Sequence, residues 1–125
     1  MSPSNPPAAE PAGAPVKQQL FEARTAGYHV FRIPGLVTTR QGTTLMHCDG
    51  RLAPKGQDSG VLVNQDWAPI DILTRRSLDH GKTWEPARVV VDHRSFEALG
   101  LTHGRGHATV NNFTTLAEKK RDRVN

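Results

Sequence analysis

One cysteine, Cys48, serves the whole chain, which excludes an internal disulfide and leaves no cysteine pair to ligate a metal. It sits in Thr44-Leu45-Met46-His47-Cys48, where a small buried hydrophobe is expected rather than a reactive thiol. Aromatic residues are also scarce. None of the seven alternates with lysines and arginines along a basic stripe, so the pattern of a nucleic-acid surface is missing. Charge of one sign does not dominate either, with 16 Lys and Arg against 12 Asp and Glu; the net +4 suits an anionic ligand without naming one. No stretch approaches the ~18 apolar residues of a membrane-spanning helix. Met1–Val16 has neither a basic start nor an apolar core, so no secretory leader is read there and a cytoplasmic location is the default expectation.

What the chain does have is the stretch Ser77-Leu78-Asp79-His80-Gly81-Lys82-Thr83-Trp84. A short carboxylate at Asp79 can accept backbone N–H groups of its own turn, Gly81 tolerates positive φ, Thr83 begins the return strand and Trp84 packs beneath. Ile70–Arg76 before it and Ala87–Val91 after it are strand-like, so the unit reads as a β-hairpin closed by a side-chain-bonded loop.

Residues 1–16 hold five prolines and a single charged side chain, Glu10, and are expected to form a disordered tail ahead of a domain over 17–125. Tyr28–Ile33 reads as a short extended segment ended by Pro34. Leu36–Thr39 and Thr44–Cys48 make a hairpin around Gly42, followed by Asp49-Gly50-Arg51 and a loop of about eighteen residues to Pro69 that carries Lys55, Asp58, Asp66 and Trp67. With the Ser77–Trp84 hairpin this completes a four-stranded antiparallel unit from Leu36 to Val91. Arg94–Leu99 could form one helical turn. Thr109-Val110 and Phe113–Ala117 look like the first strand of a second unit, with Glu118–Arg123 as its polar turn. His103 and His107 have H-x3-H spacing, but Gly104 and Gly106 forbid a steady helix, so no metal site is expected.

Ser77, Asp79, Gly81, Thr83 and Trp84 fill every defining position of a pattern that resembles the Asp box, S-x-D-x-G-x-T-W, which recurs in sialidases and other β-propellers away from their active sites. Phe31-Arg32-Ile33-Pro34 is similar to the [FY]-R-I-P signature that opens the catalytic domain of sialidases (neuraminidases). Arg51 stands nineteen residues after Arg32, where that family has a second arginine, and Asp66 stands eleven residues before Ser77, close to the family's catalytic aspartate. The resemblance runs from about Phe21 to the end of the chain and implies an all-β fold. The complete domain would be a six-bladed β-propeller, of which this chain supplies about the first two blades.

The function implied is that of an exo-α-sialidase, which removes terminal sialic acid from sialylated glycoconjugates without a cofactor. Sialic acid carries a carboxylate on its anomeric carbon, and a permanently charged bidentate donor suits it; the resemblance makes Arg32 the first of three clamping arginines. Arg51 would line the pocket, although pairing with Asp49 or Asp58 is a rival reading. Asp66 would be the general acid/base, with Asp58 as its competitor and Trp67 placed to shield it from water. Sialidases use a tyrosine nucleophile, because a carboxylate would be repelled by the substrate's own charge. Tyr28, the sole tyrosine, matches neither that position nor its neighbours, and Phe113 stands where the family usually has proline. The chain is therefore expected to be an inactive piece of the enzyme. The alternative is a non-catalytic Asp-box propeller piece that acts as a sugar-binding or interaction module.

Overall fold

The computed structural model describes residues 13–52, 65–102, 108–110, 113–118 and 123–124. Four strands, β1 (Val30–Thr38), β2 (Thr44–Arg51), β3 (Ile70–Ser77) and β4 (Arg88–Val91), pair in sequence order as one antiparallel sheet. Helix α1 (His93–Ala98) follows, capped by the Asp92 side chain on the Arg94 N–H. Two short strands, β5 (Ala117–Glu118) and β6 (Arg123–Val124), pair antiparallel in a separate ribbon.

Two of these elements differ from the sequence reading. β1 does not stop at Pro34; it runs through it to Thr38. The register shifts between Arg32 and Gly35, and at this bulge in an edge strand a residue without an N–H costs no ladder bond. Phe113–Leu116 form no strand, and pairing begins only at Ala117.

β3 carries the core. Ile70, Asp71, Ile72, Leu73 and Thr74 are all buried, where simple alternation would leave every second one exposed, because chain covers both faces. Residues in register share a face, so Asp49, His47 and Arg51 lie with Ile72, Thr74 and Ile70. Beside the start of β3, Thr109 forms a parallel backbone bridge to Ile70 and its hydroxyl donates to the Ala68 carbonyl, while Phe113 meets the His47 ring edge-on at 5.3 Å. On the other face Tyr28, Phe31 and Phe21 stack in series, and the Arg75 guanidinium donates to the carbonyls of Leu20, Glu85 and Trp84. Gly50 lets this layer close: a Cβ there would lie 2.4 Å from Leu73 Cδ1 and 2.8 Å from Tyr28 Cδ1.

The β3–β4 connection is bonded by its own side chains, as its residue types require. Asp79 accepts from the Thr83 N–H at 2.8 Å and the Thr83 hydroxyl at 2.6 Å, and Ser77 Oγ donates to Asp79 and accepts from the Gly81 N–H. His80 and Gly81 both have positive φ, 58° and 83°. The Trp84 indole N–H reaches the Gly81 carbonyl and Gln18 Oε1. The return strand starts at Arg88 rather than Thr83, although one ladder-like bond, Glu85 N–H to the Arg76 carbonyl, forms earlier.

Candidate functional site

Arg32, Asp49, Arg51 and Asp66 gather at one end of the sheet. Arg51 pairs with Ile70, at the start of β3, whereas Thr44 pairs with Ser77, at its finish. Seven residues of strand separate the two ends, about 23 Å. The Ser77–Trp84 turn is thus remote from the four charged residues.

Arg32 lies directly opposite Asp49 across the β1–β2 ladder, just before the bulge. The next residue, Ile33, has φ 55°, a left-handed conformation that a β-branched side chain rarely takes. Arg32, the last residue in register before the bulge, is exposed.

Asp49 is almost wholly buried at 1% exposure, and the Arg51 side chain is fully buried. Arg51 Nη2 faces two carboxylates at once, Asp66 Oδ1 at 3.0 Å and Asp49 Oδ2 at 3.4 Å, while Nη1 donates to the Gln65 carbonyl at 3.1 Å. The structural rival for Arg51, pairing with Asp49, is therefore realised together with a bond to Asp66. Burial pushes the Asp49 carboxyl above the usual carboxylate range; Arg51 pulls it back, Asp66 pushes it further up, and Arg32 draws it down.

Asp66 stands on a tight turn closed by the Ala68 N–H on the Gln65 carbonyl, and its side chain is 80% exposed. The sequence reading expects Trp67 to screen Asp66 from water; Trp67 is half-buried beside it, yet the Asp66 side chain stays largely exposed. Arg32 also lines a cleft of about 360 Å³ with Phe21, Phe31, Pro34, Met46 and Cys48, and Asp66 is not part of its wall. Lys55, Asp58, His103 and His107 lie outside the described residues.

A second polar cluster was not foreseen. Asp71 is buried and accepts from the Tyr28 hydroxyl at 2.6 Å and from the His93 N–H at 2.8 Å, with His93 Nδ1 2.5 Å from the same Oδ1. Its signal in the sequence is a carboxylate between Ile70 and Ile72, since a buried charge demands partners. Asp71, Asp92 and His93 stand close enough to meet around a cation, but Asp92 already holds Arg94 at 2.7 Å and Asp71 holds Tyr28. Burial first, then Asp71, drives the Tyr28 phenol above its usual range, so this tyrosine is a donor locked into the fold rather than a nucleophile.

No family model matches the chain. A sialidase of Micromonospora viridifaciens is 38% identical over 93 residues, covering 67% of this chain and 13% of that protein. A sialidase of Bacteroides fragilis is 41% identical over 69 residues, covering 55% of this chain and 11% of that protein. The chain is related to the sialidases. It spans only about an eighth of the length of these sialidase relatives. The relationship agrees with a β-rich fold that holds one four-stranded antiparallel sheet.

Proposed function

We propose that this chain is the N-terminal part of an exo-α-sialidase catalytic domain, a β-propeller that removes terminal sialic acid from sialylated glycoconjugates. The observation that carries the reading is the gathering of Arg32, Asp49, Arg51 and Asp66 at one end of a four-stranded sheet in a relative of sialidases. The sheet is the first blade, and the Ser77–Trp84 turn is its Asp box, holding the hairpin far from the chemistry. Exposed Leu36, Val89 and Val90 on the edge strands support a sheet that neighbouring blades cover in the whole enzyme.

Each group has a task in this reading. Arg32, exposed at the bulge, binds the sugar carboxylate with a charged fork. Asp66, open to the substrate side, gives its proton to the leaving glycosidic oxygen and then takes one from water. Arg51 is too deeply buried to touch sugar itself; it lines the floor and steers the Asp66 carboxylate through Nη2. The tyrosine nucleophile and further arginines come from other parts of the propeller, since Tyr28 is committed to Asp71. No cofactor enters the reaction.

Titration of the isotopically labelled chain with N-acetylneuraminic acid tests this assignment by NMR. One arginine in place of a full clamp gives weak binding, on the order of millimolar or poorer. Shifts are expected at Arg32, Asp49–Arg51 and Asp66, with the turn at Asp79–Trp84 silent, and Arg32→Ala should remove them. Shifts centred on the turn, or shifts that survive Arg32→Ala, would contradict it.

A further inference from the structure

We propose that Asp49 is the positioning residue of this site: a buried carboxylate that fixes the Arg51 guanidinium from below, so that Arg51 in turn holds Asp66. Its catalytic consequence rests on the sialidase reading, but the positioning does not.

One nitrogen of Arg51 serves two carboxylates. Arg51 Nη2 is nearer to Asp66 than to Asp49, 3.0 against 3.4 Å. Distance alone would make Asp66 the anchor. Environment reverses the order, because Asp66 is 80% exposed and Asp49 only 1%. At an effective dielectric of roughly 20 rather than about 80, the same pair of charges attracts about four times as strongly, far more than the extra 0.4 Å takes away. A solvated carboxylate on a turn is also free to leave, whereas Asp49 is set in the ladder of β2 between two strands.

Burial works against the ionised form of Asp49, and Arg51, then Arg32 opposite it across the ladder, work in its favour. One buried carboxylate thereby faces the exposed arginine on one side and the buried arginine on the other. A fully buried guanidinium without a buried counter-charge would be costly, so Asp49 makes the burial of Arg51 tolerable. Arg51 Nη1 adds the Gln65 carbonyl, and Gln65 adjoins Asp66 in the chain, so a fixed Arg51 grips both the backbone and the side chain of the turn.

NMR of the Arg51 guanidinium in the full chain separates the two anchors without any sugar. Slow rotation about the Arg51 Cζ–N bonds, seen as resolved Nη–H signals, reports a pinned fork. Asp66→Ala, a change at an exposed side chain, should leave those signals resolved. Asp49→Asn keeps the volume and one acceptor oxygen but removes the charge; it should speed rotation about tenfold or more, the loss of a charge-assisted bond, with the amide spectrum of β3 unchanged. Collapse of the Arg51 signals in Asp66→Ala would overturn the proposal whether or not Asp49→Asn folds. Resolved signals in both variants would also overturn it. A failed sialic acid titration beside a pinned Arg51 would count against the sialidase reading and not against this one.

Discussion

Thr83 donates twice to Asp79, through its hydroxyl to Oδ2 at 2.6 Å and through its N–H to Oδ1 at 2.8 Å. These bonds, led by the Thr83 hydroxyl and joined by Ser77, hold the Asp79 carboxyl down at about 2 against an ordinary 3.8. A depressed folded value stabilises the ionised, folded state above the unfolded value and loses that contribution as pH falls through the folded one. Asp92, held down to about 2 chiefly by Arg94, has the same sign. The sheet is therefore expected to lose stability between about pH 4 and pH 2, and Asp79→Asn should flatten that loss while lowering the melting temperature at neutral pH. Melting curves followed by circular dichroism across this range check both; an acid limb unchanged in Asp79→Asn would contradict the assignment.

Gly50 is needed for its lack of a side chain. Ala at this position meets Leu73 and Tyr28 well inside contact distance, and both belong to the packed face of β3. Gly50→Ala should cost about 1–3 kcal/mol from overpacking, read as a lower denaturant midpoint with an unchanged slope. A midpoint equal to the parent chain would show that the Tyr28 layer moves aside freely.

Cys48 is 2% exposed, and burial first, then Asp49, pushes its thiol up to about 12. Only the thiolate reacts, so labelling by an aromatic disulfide reagent at pH 8 should proceed at the rate of opening of β2. Prompt labelling of the native chain would contradict the burial.

The fold was legible where bonding is local. Ser77, Asp79, Gly81 and Thr83 satisfy one another within a few residues, so the turn and the strand before it could be read from residue types, and Ile70–Arg76 falls within the observed β3. Features that depend on distant partners could not be read. β1 passes through Pro34 because its edge is open and β2 sets a bulge there, which no local pattern announces. Arg32 and Asp66 are singled out in the sequence by resemblance to a family pattern, whereas the full burial of Arg51 depends on Asp49 and the Gln65-Asp66 turn converging on it from two places in the chain. Tyr28 reads in the sequence as the start of an extended segment and as no match to the family's nucleophile; its bond to Asp71 spans 43 residues and carries no sequence signal at its own end.

The isolated chain should not hydrolyse a fluorogenic sialoside above background. Its one tyrosine is buried in a hydrogen bond to Asp71, and groups that act as a unit leave little rate when the nucleophile is missing. Turnover by the purified chain that disappears in Asp66→Asn would show that it builds a working site alone.

The most direct measurement places the chain in a complete enzyme: the matching segment of one of the sialidase relatives is replaced by Phe21–Leu116 of this protein, and sialoside turnover is followed. The chimera should be active, Asp66→Asn within it should lower kcat by about a hundredfold or more, and Arg32→Ala should raise KM as the sugar carboxylate loses its fork. A folded, active chimera whose kcat is indifferent to Asp66→Asn would contradict the account.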